Sequence, residues 1–181
     1  MLSLTTDRLL LRGWQESDSA DLYEYAKSEL VGPFAGWKPH QNEEESKQII
    51  KRFMADNETY AIVLKTENKV IGGIGLHRRF PDESLQHLNQ REIGYVLNPN
   101  YWGRGIVPEA VTCLLAYGFD ELDLDLIWCA HYEFNAKSKR VIEKCGFNYQ
   151  FTRSETLHLL DDKKVTTLYY HLSKQEYFNR N

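Results

Sequence analysis

Cysteine is scarce in this chain: three among 181 residues, Cys113, Cys129 and Cys145. The count is odd and no two are close in sequence, so neither a disulfide framework nor a zinc motif is indicated. Each reads as a small packed hydrophobe. Basic residues are not in excess: 22 Lys and Arg stand against 26 Asp and Glu, a net charge of −4. That argues against a sequence-independent nucleic-acid binder, which is normally basic. Long apolar runs are missing. Arginine interrupts MLSLTTDRLLLRGW twice, and no stretch approaches the ~20 residues of a membrane span. Repeats, linkers and low-complexity segments are absent too. The expectation is a soluble cytoplasmic protein that engages neither membrane nor nucleic acid.

What is present is apolar bulk. Hydrophobic residues make up 42% and aromatics 13%, enough for a large core, and the length suits one domain over residues 1–181. DRLLLRGW reads as a first strand. ESDSADLYEYAKS reads as a helix that Ser17 or Asp18 can cap. LVGPFAGWKPHQN, with two glycines and two prolines, reads as loop. EEESKQIIKRFMADN is a helix with acids in its first turn, the order the macrodipole favours. TYAIVLKT and KVIGGIGLHRR form a hairpin across ENK. A polar loop leads to the strand REIGYVL, then the helix VPEAVTCLLAYGFDEL and the strand DLIWCAHY. NAKSKRVIEKCGF is a helix with Asn135 as N-cap and Gly146 past its end. YQFTRSETLHLL and KVTTLYYHLS close the chain as a hairpin. The order β-α-α-β-β-β-α-β-α-β-β predicts a mixed sheet with helices on its faces.

One loop stands out. NYWGRGIVPEA, residues 100–110, joins a strand to a helix. Pro108 suits a first helical turn, where its missing N–H is no loss. Gly103 and Gly105 permit positive φ and a close approach to the backbone. The N–H groups from Trp102 through Gly103, Arg104, Gly105 and Ile106 to Val107 would point outward ahead of a helix N-terminus. Such a turn holds a phosphate or pyrophosphate, with Arg104 adding charge at the rim. Pro108 occupies the third glycine position of a dinucleotide fingerprint, and the P-loop lysine is missing. A plain glycine-rich turn without ligand is the alternative.

Context decides between them. GYVLNPNYWGRGIVPEAV, the opening TDRLLLRGWQESD and NAKSKRVIEKCGF stand in order, and together they resemble the GNAT superfamily of acyl-CoA-dependent N-acetyltransferases. The similarity runs over residues 5–172, and is strongest to the branch of the ribosomal-protein N-terminal (RimJ/RimL-type) and spermidine acetyltransferases. It implies an α+β GNAT fold: a mixed, mostly antiparallel sheet of six to seven strands, splayed between the fourth and fifth, with about four helices. It implies acetyl-CoA as cosubstrate without a metal, and an amine acceptor, with a protein N-terminal α-amine favoured over polyamines, amino-sugars and drugs. A catalytically silent acyl-CoA-binding domain is the alternative outside enzymes. Either a monomer or a homodimer is compatible.

The chemistry such a resemblance implies has stated needs. The amine must be neutral, against a pKa of about 8 for α-amines and about 10.4 for lysine-like ones. A base or proton path is therefore required, and the departing thiol, with a pKa near ~8.5, gains from a donor. Glu92 in the fourth strand is the expected carboxylate, with a surface glutamate as the plain alternative. His131, Glu133, His77 and His87 are its rivals. Many members of the resembled family use a tyrosine in the helix after the fifth strand as the acid; none stands here before Tyr149, and the resemblance to this branch implies Ser138 of NAKS as the donor, with a plain helix-surface serine as the alternative. The resemblance gives Asn135 a contact with the cosubstrate besides its cap. It leaves Leu97 backbone groups free to pair with the pantetheine arm, and sets Trp102 on the cosubstrate or the sheet. Phe34 and Trp37, in the irregular loop before the second helix, are expected to wall the acceptor site together with FPDESLQHL (residues 80–88), or else to anchor their own loop.

Overall fold

The computed structural model describes residues 1–180. Eight strands form one sheet: β1 (Leu4–Thr5), β2 (Leu9–Gly13), β3 (Thr59–Leu64), β4 (Lys69–His77), β5 (Gln90–Leu97), β6 (Leu126–Tyr132), β7 (Asn148–Leu157) and β8 (Lys163–Ser173). Their spatial order is β1-β2-β3-β4-β5-β6-β8-β7. Every neighbouring pair is antiparallel except β5 and β6. The sheet exceeds the predicted six to seven strands by the two-residue β1, too short to leave a pattern in sequence.

Four longer helices cover the sheet: α1 (Ser19–Ala26), α3 (Glu43–Asp56), α4 (Ile106–Ala116) and α5 (Ala136–Lys144). Two short ones, α2 (Gly32–Ala35) and α6 (Lys174–Phe178), were not expected. Sequence reading made residues 30–42 pure loop; instead one helical turn forms there and ends at Gly36, whose φ of 94° suits glycine. The caps otherwise follow local chemistry. Asn42 accepts from the Glu45 N–H at the start of α3, and three acids fill its first turn. Asp18 does not cap α1 with its side chain. Its carboxylate takes two bonds of 2.8 Å from the Arg12 guanidinium and one from the Gln15 N–H, a stronger charge-assisted arrangement.

Two cores result. One lies between the sheet and α4 with α5, built on Leu9, Ile62, Ile74, Ile93, Leu114 and Ile127. The other lies under α1 and α3, built on Trp14, Leu22, Tyr25, Ile50, Ala61 and Val63. Central β3 and β4 serve both faces, so their apolar run is nearly unbroken. Period-two alternation therefore divides β5: Glu92, Gly94 and Val96 face α1 and α3, whereas Ile93, Tyr95 and Leu97 face α4 and α5.

The pairing of β5 with β6 matters most. It runs from Gln90↔Leu126 to Ile93↔Cys129 and stops. Beyond it, Gly94–Leu97 and Ala130–Tyr132 diverge, each still paired to its other neighbour. The splay expected between the fourth and fifth strands is present here between β5 and β6, one number on because of β1.

Candidate active site

The loop and α4 stand at one end of the splay. Gly103 and Gly105 have φ of 76° and 73°, the left-handed values their sequence positions suggested. Gly105 is the N-cap of α4 and offers no side chain for capping. The backbone N–H groups of residues 103–107 find no acceptor among the described residues. A Cβ at Gly103 would meet nothing within 4 Å. Open space thus lies before a row of unpaired donors at a helix start, a fit for phosphate oxygens.

The loop is braced from behind. Glu109, in the first turn of α4, accepts from Thr6, from the Arg8 N–H at 3.1 Å and from Arg8 Nε at 2.6 Å. Arg8 Nη1 donates to the Arg104 carbonyl at 2.8 Å. These bonds hold the Glu109 carboxyl below its usual range against the opposing effect of burial. Arg104 folds back, donating to the Asn100 carbonyl and lying over the Tyr101 ring at 5.0 Å. Ile106 and Val107 are buried in the core by side chain and offer only backbone outward.

Trp102 packs on the sheet side, and its indole N–H donates to the Leu97 carbonyl at 3.0 Å. One lone pair of that carbonyl is therefore engaged. The Leu97 side chain is core. Lys137 Nζ sits 3.5 Å above the Trp102 ring centroid, placing a cation beside the loop that sequence reading did not single out.

On the α1 and α3 face the splay opens into a cleft of about 830 Å³. Glu92, Gly94, His77, Arg79, Tyr132, Glu155, Thr167 and Tyr169 line its floor and far wall. Glu92 stands where β5 still pairs with Trp128 of β6, one residue before pairing ends. Burial raises its carboxyl above the ordinary glutamate range; Arg79 partly offsets this, and Glu155 adds to it. Among the described residues no side-chain hydrogen bond occupies it. A carboxylate that is desolvated, unshared and open to a cleft is suited to accept a proton.

Its rivals are placed as follows. His131 is buried, with Nδ1 2.8 Å from the Tyr132 carbonyl and Nε2 3.3 Å from the Tyr170 hydroxyl; both nitrogens are engaged, as a structural histidine requires. His87 and Glu133 are exposed and do not line the cleft. His77 does line it, pairing in register with Glu92 across β4 and β5. Its ring lies in a recess left by glycine: a Cβ at Gly75 would stand 2.3 Å from Nε2. Burial, helped by Arg79, lowers the His77 pKa.

Ser138 is in the first turn of α5, where its N–H bonds to Asn135 Oδ1 at 3.1 Å. Its hydroxyl does not stand alone. The Tyr95 hydroxyl approaches Ser138 Oγ at 2.8 Å, from the strand across the splay. Sequence reading missed Tyr95; the alternation along REIGYVL, which puts it opposite to Glu92, was the available signal. Tyr149 bonds to Thr152 on β7 and does not line the cleft.

The roof of the cleft is the segment around α2. Asn135 Nδ2 donates to the Phe34 carbonyl at 3.2 Å, and the rings of Phe34 and Phe134 meet edge-on at 5.5 Å. Lys38 pairs with Asp161 at 2.5 Å. Phe34 and Trp37 both line the cleft, whereas the expected third element of that wall, residues 80–88, does not. Trp37 also anchors: it lies against Gly32 and His40 and packs on the second core. Trp37 thus both lines the cleft and anchors the segment that roofs it.

The comparisons with known proteins agree with this geometry. Residues 8–148 match the family model described as the acetyltransferase (GNAT) domain. The chain is 32% identical over 146 residues, 80% of its length and 82% of the other's, to the uncharacterized N-acetyltransferase YnaD of Bacillus subtilis. Its fold superposes on an acetyltransferase (GNAT family) of Bacillus anthracis with a TM-score of 0.84 at 26% identity, covering 97% of this chain and 100% of that one. It also superposes on the microcin C7 self immunity acetyltransferase MccE, solved in complex with acetyl-CoA and AMP, with a TM-score of 0.73 at 21% identity over 93% of each chain. A strand-to-helix glycine loop with free amides, a splay between parallel strands and a matching family model lead to one assignment: the chain belongs to the GNAT family of N-acetyltransferases.

Proposed function

We propose that residues 1–181 act as one cytoplasmic N-acetyltransferase domain, as a monomer or homodimer, moving an acetyl group from acetyl-CoA directly to a primary amine. The α-amine of a protein N-terminus is the favoured acceptor, as in the RimJ/RimL branch. In this reading the amides of residues 103–107 hold the pyrophosphate, with Lys137 nearby. Asn135 and the edge of β5 border the pantetheine arm. Acetyl-CoA supplies the activated acyl group. Glu92 takes the proton of the attacking amine, directly or through water, and Ser138 serves the departing sulfur. The three cysteines are free thiols, compatible with a reducing compartment.

The observation that carries the acceptor class is the charge of the cleft. Its ionisable lining comprises Lys38, Arg52 and Arg79 against Glu45, Glu92 and Glu155. His40 and His77 are both pushed toward the neutral form by burial. Three cations against three carboxylates leave no excess negative charge for a polycation such as spermidine or an aminoglycoside. A single amine on a chain carrying carbonyls suits the balance. The test is acetyl-CoA consumption with short peptides bearing free α-amines, with spermidine and with an aminoglycoside. Peptides are expected to turn over best. Preferential turnover of spermidine would overturn the acceptor assignment, and no turnover with any amine would overturn the enzymatic reading.

A further inference from the structure

We propose that Tyr95 is a positioning residue for the acyl-transfer step, directing the Ser138 hydroxyl toward the sulfur of the bound CoA. The proposal rests on the function just given. Its basis is one contact that joins the two arms of the splay. Tyr95 belongs to β5 and Ser138 to the first turn of α5, which follows β6. Their hydroxyl oxygens are 2.8 Å apart, and the Tyr95 hydroxyl also lies 3.3 Å from the Ser138 carbonyl. Both residues line the cleft where the strands part.

Either hydroxyl can donate in this pair, and the proposal takes Tyr95 as the donor. A hydroxyl donates one proton and accepts at two lone pairs. The Ser138 N–H is already spent on Asn135. Tyr95 is packed against the core of α4 and α5 with Cys129 and Cys145 beside it. Burial drives its phenol well above the usual range, so it stays protonated and keeps a proton to offer. When Tyr95 donates to Ser138 Oγ, the serine proton is left to point elsewhere, and the free direction is the splay. Neither hydroxyl gives up its proton. The thioester C–S bond breaks with its electron pair on sulfur, the Ser138 O–H hydrogen-bonds that sulfur, and the proton that finally neutralises it comes from solvent. The positive end of α5 assists the same charge.

The experiment uses the full chain with Tyr95→Phe, Ser138→Ala and the double variant. Affinity for CoA and for desulfo-CoA is measured by calorimetry at about pH 8, where much of a thiol with a pKa near ~8.5 is ionised. The wild type should bind CoA several-fold more tightly than desulfo-CoA. Each variant should lose that preference while keeping its affinity for desulfo-CoA. kcat with a peptide acceptor should fall about tenfold in each single variant, a size typical of one lost hydrogen bond to a charged group. The double variant should fall no further than Ser138→Ala. Independent, multiplying losses in the double variant would overturn the proposal. So would Tyr95→Phe with wild-type CoA preference and kcat, whatever its melting temperature. A wild type that binds neither CoA nor desulfo-CoA would instead overturn the underlying function.

Discussion

Asn135 ties Phe34 to the start of α5. Its Oδ1 caps the helix through the Ser138 N–H, while its Nδ2 holds the Phe34 carbonyl 101 residues back in the chain. One amide thus fixes both the helix that faces the splay and the roof of the cleft.

The two halves of that amide are separable. Asn135→Asp keeps the capping oxygen and adds a favourable charge at the helix start, but loses the donor to Phe34. Melting temperature should stay close to wild type. The KM for the amine should rise about two- to tenfold, the worth of one hydrogen bond. Asn135→Ala should show the same KM change and in addition lose about 1 kcal/mol of stability. An unchanged KM in the Asp variant would remove the roof from the acceptor site.

Gly103 discriminates strain from ligand contact. Its φ is positive and no atom lies near its outward face. Asparagine tolerates that backbone region better than other residues. Calorimetry with acetyl-CoA should therefore find Gly103→Asn weakened slightly and Gly103→Glu weakened by more than about tenfold, since a carboxylate at the donor row repels phosphate. Equal affinities for the two would separate the loop from the phosphates.

Glu92 carries two pH signatures. As a base it must be ionised, so the acidic limb of kcat/KM should fall at a pH above the ordinary glutamate pKa, because burial raises it. Glu92→Gln should abolish that limb and lower kcat, about 10²- to 10⁴-fold if proton removal limits the rate. Stability runs the other way. A folded-state pKa above the unfolded one means the folded protein holds its proton longer, so this carboxyl costs stability as pH rises through the folded value. Glu92→Gln should melt higher than wild type at neutral pH, and the gap should close below about pH 4.3. A variant with wild-type turnover would pass the role to His77 or to water.

Glu109 offers a test of the brace. Glu109→Gln keeps the shape and removes the charge that Arg8 meets at 2.6 Å. The pair is partly exposed, so the expected loss is about 0.5–1 kcal/mol. Acetyl-CoA affinity should weaken severalfold because the loop is held less firmly. Full affinity in a folded variant would show that the loop stands without its brace.

Much of this architecture is written locally. Glycines at 103 and 105, the Asn135 cap and the apolar runs of β3 and β4 act within a few residues, and a linear reading finds them. The unread parts are those made by chain returns. Tyr95 meets Ser138 43 residues on, and its own neighbours in sequence only state which face it occupies. Asp18 looked like a cap until Arg12, across a turn, claimed its carboxylate. His131 reads as a base or as a structural histidine until β8 places the Tyr170 hydroxyl beside its Nε2. Trp37 divides between cleft and core because α2 forms a turn that the glycines and prolines disguise.

An unpaired strand border normally lies at the rim of a sheet, where other chains can reach it and where charges or bulges must guard it. Here the parting of β5 from β6 puts such a border in the middle, with α4 and α5 behind it and the α2 segment above. It is a slot rather than a rim. Whatever enters this slot would bridge the two parts of the sheet, which are joined there only by the four-residue pairing of β5 with β6. Amide exchange at Gly94–Leu97 and Ala130–Tyr132 should accordingly slow in step when the slot is filled.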